Sequence, residues 1–147
     1  MDPRVARRIA RVHHRGQCTR FGDLVTEHVE RVASAVPREA RSVAWLHDLL
    51  ELTAVCYPEL QARGLTDVEE AALRLLTRGR RESYEAYVLR VAGGGGRAGQ
   101  IARTVKLADL NDHLTHGRPP RTAPAYAWAR RCVLEHLNDQ TPTAVAG

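Results

Sequence analysis

Apolar residues recur at helical spacing in one segment after another and nowhere alternate as a half-buried strand requires. This restricts the chain to an all-α architecture, and each segment carries its own start and stop signals. Asp2-Pro3 sets an N-cap before a proline at the first helical position, and Val5, Ile9 and Val12 follow to about His14. After the turn-forming RGQCTRFGD, the segment LVTEHVERVASAV aligns Val25, His28, Val29, Val32 and Val36 on one stripe and ends at Pro37. PREARSVAWLHDLLELTAV then reads as one long third helix with Val43, Leu46, His47, Leu50 and Ala54 along one side. A short turn through Tyr57-Pro58 and Gly64 leads to LTDVEEAALRLLTRG, which has a Thr66–Glu69 capping box and stops at Gly79. ESYEAYVLRVA forms a further helix, and GGGGRAG is expected to be a flexible loop outside any helix. IARTVKLADLNDHLTHG runs helically to Gly117, and RPPRTAP separates it from the last helix, AYAWARRCVLEHL. The expected fold is a single-domain helical bundle over residues 1–138, with 139–147 as a frayed tail.

Composition limits the classes of function. No run of 18 apolar residues exists and MDPRVARRIARVHH lacks the apolar core of a secretory signal, so a soluble, cytoplasmic protein without a membrane partner is expected. Cys18, Cys56 and Cys132 are widely spaced and form no CxxC pattern, which predicts small buried hydrophobes rather than disulfides or a zinc site. The net charge of +5 comes almost wholly from arginine, since Lys106 is the only lysine, and it favours an anionic partner. Arg7, Arg8, Arg11 and Arg15 follow the solvent face of the first helix, and the aromatic-basic interleaving of single-strand binders is missing, so nucleic acid is disfavoured against a small phosphorylated molecule.

Four polar residues fall on faces that the apolar pattern assigns to the core: His28, His47, Asp48 and Asp109, the last among Val105, Leu107, Ala108 and Leu110. Burying a carboxylate without a partner is costly. Singly, three of them have ordinary explanations: His28 as a core histidine bonded to backbone, Asp48 as a cap or paired with Arg41 or another arginine, Asp109 paired with Lys106 or Arg103. Together, two imidazoles and two carboxylates that a bundle can bring to one point suit one divalent ion, such as Mn²⁺, Fe²⁺, Co²⁺ or Zn²⁺. Glu51 lies one helical turn after His47 and projects from the same side, where it can exchange protons with water at a metal or remain a surface acid.

The ordered pattern His28, His47-Asp48, Asp109 resembles the HD-domain superfamily of metal-dependent phosphohydrolases. HHRGQCTRFGDLVTEH resembles the opening of the RelA/SpoT-type alarmone hydrolases and their small single-domain homologues; LHDLLEL resembles their LHD-x-x-E-D segment, and VKLADLNDHL the segment with their last ligand. The likeness covers about residues 5–114. It implies a helical HD fold that holds one Mn²⁺-like ion through His28, His47, Asp48 and Asp109, and hydrolysis of a nucleotide phosphate or pyrophosphate ester such as the 3′-pyrophosphate of ppGpp. Glu51 then matches the glutamate of the catalytic Glu-Asp pair, whereas Leu52 replaces the aspartate. His113 stands where alarmone hydrolases usually have an asparagine near the substrate ribose, and Thr19 where an arginine often stacks on guanine, with Arg20 next door as its substitute. Residues 49–108 contain no histidine, which favours one metal over the two of other HD branches. Arg20, Lys106 and Arg103 are candidates for the substrate phosphates. Two further functions fit the same residues: hydrolysis of a different nucleotide or phosphorylated metabolite, and a non-catalytic nucleotide-binding module that keeps the metal site.

Overall fold

The computed structural model describes residues 1–19, 22–116 and 121–138. Among them the chain forms an all-α bundle with α1 at Pro3–His13, α2 at Val25–Ser34, a 3₁₀ turn at Arg38–Ala40, α3 at Arg41–Leu46 and α4 at Leu49–Leu52. α5 at Tyr57–Gln61, α6 at Asp67–Leu76, α7 at Tyr84–Ala92, α8 at Gly96–Thr115 and α9 at Ala123–Asn138 follow. The extended pairing in the described residues is a single isolated bridge, Cys18 to Leu24, which closes the loop before α2. No helix among the described residues is long and apolar enough to cross a membrane.

The start signals act as their chemistry predicts. The Asp2 carboxylate accepts from the Arg4 N–H at 2.6 Å, and the Thr66 hydroxyl accepts from the Glu69 N–H while the Glu69 carboxylate accepts from the Thr66 N–H. α2 buries Val25, His28, Val29, Val32 and Ala33, the stripe its spacing predicts. α8 packs against α2, α6, α7 and α9 and buries most of its circumference, leaving a stripe through Gln100, Thr104, Leu107, Asn111 and Thr115 open or partly open. Its Val105 and Leu110 meet a core of Val29, Val43, Leu46, Leu49 and Leu73, all fully buried. Each such side chain contributes roughly 1.5–3 kcal/mol by leaving water.

Several expectations are corrected. The third helix is not continuous: α3 ends at Leu46 and α4 begins at Leu49, with His47 and Asp48 at the break. Both residues keep right-handed helical backbone angles, and the adjacent histidine and aspartate serve one cluster. The segment at Tyr57-Pro58 is a short helix rather than a turn. Val12, assigned to the buried stripe of α1, is 55% exposed, and Ala6, Ile9 and Ala10 form that face instead. Cys18 and Cys56 are exposed and Cys132 is half-buried, so the cysteines are not a buried set. Leu52 is 48% exposed, although Leu49 on the same short helix is fully buried. The tail 139–147 lies outside the described residues.

GGGGRAG is the largest departure. α8 starts inside it, at Gly96. A Cβ on Gly99 would stand 1.9 Å from the Gly94 carbonyl oxygen, so the glycine permits α7 and α8 to meet at a turn too tight for any other residue. Arg103, a candidate for phosphate contact, is fully buried and donates to the carbonyls of Ala92 and Gly94. It closes the same turn and does not line the cavity beside His47 and Asp48.

On the other side of α7, Arg90 grips Glu82 with Nε–Oε1 and Nη2–Oε2 contacts of 2.7 Å and also donates to the Arg74, Leu75 and Thr77 carbonyls at the end of α6. The Glu82 carboxylate accepts from the Gly79 N–H as well. This clamp holds the connection that carries Arg78. The Arg90 guanidinium, outweighing partial burial, holds the Glu82 carboxyl down at about 2.

Two predictions follow from the packing. Gly99→Ala is expected to lose about 2 kcal/mol or more in urea unfolding, whereas Gly95→Ala, where an added Cβ meets nothing within 4 Å, should change stability by less than about 0.5 kcal/mol. Glu82 has a depressed folded pKa, so its stabilisation is present above the unfolded value near 4.5 and fades as pH falls toward about 2. Glu82→Gln should therefore melt a few degrees below wild type at pH 7, with the gap closing on acidification; a gap independent of pH would contradict the clamp.

Candidate metal centre

Three separate elements deliver the polar core. α2 carries His28, the break between α3 and α4 presents His47 and Asp48, and α8 carries Asp109 and His113. His28, His47 and Asp109 are buried, while the Asp48 side chain retains 30% exposure and faces a cavity. Asp48 is thus not the fully buried charge that its apolar neighbours imply.

Asp109 Oδ1 is the hub. It lies 3.3 Å from His28 Nε2, 3.8 Å from His47 Nε2 and 3.1 Å from His113 Nε2. Asp48 adds Oδ2 at 3.7 Å from His28 Nε2 and Oδ1 at 3.4 Å from His47 Nε2. Ligand atoms around an ion with bonds of about 2.0–2.2 Å are separated by similar distances. The trios His28, His47, Asp48 and His28, Asp109, His113 each bring ligand atoms within 4.8 Å of one another, and they could hold a metal ion.

The donor set fits an ion on a second, independent ground. Both His28 Nε2 and His47 Nε2 are buried without a hydrogen-bond partner. The opposite nitrogen of His47 explains its orientation, because Nδ1–H donates to the Ala44 carbonyl at 2.8 Å. A carbonyl only accepts, so the neutral ring turns the lone pair of Nε2 toward the cluster. His28 is fixed through Nδ1 by Asp112 at 2.8 Å. Buried orphan nitrogens are costly in a dry core, and a cation between them and the carboxylates removes that cost.

Charge is strongly redistributed here. Burial opposes it, yet the Asp109 and Asp112 carboxylates hold the His28 imidazole up at about 10. Burial likewise opposes ionisation of Asp109, but the Lys106 ammonium and the imidazoles hold its carboxyl well below the usual range. Lys106 Nζ contacts Asp109 Oδ2 at 2.8 Å and lies 4.9 Å from the centre of the Tyr87 ring.

Glu51 is exposed at the mouth of a cavity of about 400 Å³, whose lining includes His47, Asp48, Lys106 and Asp109. Its carboxylate accepts from the Arg78 N–H at 2.6 Å. The surrounding protein bulk pushes the Glu51 carboxyl up, against the pull of that N–H. Tyr84 also lines the cavity with a buried, unpartnered hydroxyl, which burial raises to about 12. His113 stacks between His28 and Tyr126, with ring centres 4.7 and 5.2 Å away. Clefts of about 650 and 780 Å³ occur elsewhere, but neither includes His47, Asp48 or Glu51, so size does not mark this site.

Of the residues singled out by sequence, the fold brings together His28, His47, Asp48, Glu51, Lys106, Asp109 and His113. Arg20 lies outside the described residues. Asp112, Arg78, Tyr84 and Tyr126 were not reached from sequence, although Asp112 is one helical turn from Asp109 on the same side of α8. The opening segment joins the site indirectly: His14 Nδ1 meets Gln17 Oε1 at 2.8 Å, and Gln17 Nε2 donates to the Leu52 carbonyl at 3.1 Å.

Asp48→Ala provides a test that spares the packed core. Wild type in Mn²⁺ or Co²⁺ at a hundredfold excess over Kd should gain about 2.7 kcal/mol in unfolding free energy, and the variant should unfold normally without that gain. Equal gains in both proteins would show that the ion binds elsewhere. No protein-family model matches the chain, and no curated protein matches it in sequence, so its functional interpretation is carried by this geometry.

Proposed function

We propose that the chain is an HD-type metal-dependent phosphohydrolase that cleaves a phosphate or pyrophosphate ester of a nucleotide, with a ppGpp-like alarmone as the leading substrate. The observation that carries this is the clustering of His28 with His47, Asp48 and Asp109, the last three lining a cavity that Glu51 and Lys106 also line, with two buried imidazole nitrogens left unpartnered. The mixed nitrogen and oxygen set contains no thiolate and suits Mn²⁺, with Fe²⁺, Co²⁺ and Zn²⁺ as alternatives. Such an ion, when bound, supplies Lewis acidity toward phosphoryl oxygens and activates water.

The chain's own groups account for the remaining work. Glu51 has an accessible carboxylate with a raised pKa, suited to taking a proton from water and returning it to the leaving group. Lys106 provides a point charge for phosphate once Asp109 is engaged by the ion. Tyr84 offers a hydroxyl donor to an anion, and Tyr126 adds a flat aromatic wall suited to a base or sugar. The cavity volume is within the range of small-molecule sites.

One observation favours a non-catalytic, nucleotide-binding module. Leu52, in the position where the resemblance places a second acid, is exposed beside Glu51 and brings no proton carrier. A Mn²⁺-supplemented assay of phosphate and pyrophosphate release over ppGpp, GTP, deoxynucleotides, nucleoside monophosphates and phosphosugars separates the two functions. Wild type should release product, Asp48→Ala should be inactive, and Glu51→Gln should bind metal normally with kcat lower by about 10²–10⁴. Tight nucleotide binding without release across the panel would favour the module.

A further inference from the structure

Asp112 is absent from the ligand set, yet both of its carboxylate oxygens are engaged beside it. It is buried, and its Oδ2 faces His28 Nδ1 at 2.8 Å and Arg31 Nη2 at 2.9 Å. Its Oδ1 receives Arg31 Nε at 2.6 Å and lies 3.1 Å from His116 Nδ1. Both oxygens are therefore directed, and the carboxylate is locked by the planar fork of Arg31. On the far side of the same imidazole, His28 Nε2 is buried without a partner, 3.3 Å from Asp109 and 3.7 Å from Asp48.

We infer that Asp112 is the positioning residue of the metal centre: it holds the proton of His28 on Nδ1, so that Nε2 presents its lone pair to the ion, and Arg31 holds Asp112. This rests on the metal-site proposal and adds the control of affinity to it. An ionised carboxylate can only accept, so the shared proton belongs to Nδ1 and fixes both tautomer and ring rotation. A carboxylate behind the ring also makes Nε2 a stronger donor than a carbonyl does. His47, backed by the Ala44 carbonyl, is the weaker of the two imidazole ligands by the same comparison. Arg31 is 31% exposed at its side chain, so it can be changed without opening the core.

Co²⁺ titration of the full metal-free chain, followed by visible absorption, reads the site without any activity. Wild type should take up one ion per chain. Asp112→Asn should bind about 10- to 100-fold more weakly, with an altered absorption envelope and unchanged helical circular dichroism. Arg31→Met, which leaves Asp112 in place but unlocked, should weaken binding about three- to tenfold and decides the matter even if Asp112→Asn fails to fold. Wild-type affinity in Arg31→Met, or in a folded Asp112→Asn, would overturn the role of Asp112 while leaving the metal site intact. Identical Co²⁺ behaviour of wild type and His28→Ala would overturn the metal site itself, and the role of Asp112 with it.

Discussion

His28 and Arg31 lie one turn apart on α2, Asp109 and Asp112 lie one turn apart on α8, and the packing of these helices sets an imidazole and a guanidinium against two carboxylates. The apolar residues between them, Val29 and Val32 on α2 and Val105 and Leu110 on α8, are fully buried and bring the backbones together. Apolar burial therefore provides the force, and the polar pairs set the register. A shift of either helix by one residue would leave charges in the core without partners, at a cost of several kcal/mol.

From this pairing the rest of the centre is built outward. His47 and Asp48, at the break between Leu46 and Leu49, join the same cluster, and Lys106 reaches Asp109 from one turn before it on α8. Lys106 and the His28 imidazole, both held up by the neighbouring carboxylates, face the acids of the cluster. Uptake of an ion then exchanges one set of positive charges for another. Asp48 and Glu51 line a cavity of about 400 Å³ beside the cluster.

Much of this was legible in the sequence. The helical stripes place His28, His47 and Asp109 inside, and the Asp2 N-cap, the Thr66–Glu69 capping box and Pro37 locate several helix ends to within a few residues. The exceptions have physical causes. GGGGRAG reads as a loop because glycine is a poor helix former, but Gly99 is present for the close approach of Gly94, a tertiary fact that propensity does not carry. The continuous pattern of PREARSVAWLHDLLELTAV hides the break at His47-Asp48, since both residues keep right-handed helical backbone angles. Arg103 looked like a surface or phosphate group because nothing local reveals that carbonyls of the α7–α8 turn would surround it. Asp112 and Arg31 were visible as i, i+3 neighbours of His28 and Asp109, but their partnership spans 81 residues and needed the fold to reveal it.

The central claim is that His28, His47, Asp48 and Asp109 hold one divalent ion. Crystals grown with Mn²⁺ and measured at the manganese absorption edge test it most directly. A single anomalous peak between His28 Nε2, His47 Nε2 and the Asp48 and Asp109 carboxylates, at about 2.0–2.3 Å from each, is the predicted result. No peak there in Mn²⁺-saturated crystals, with these side chains drawn apart or bonded only to one another, would contradict it.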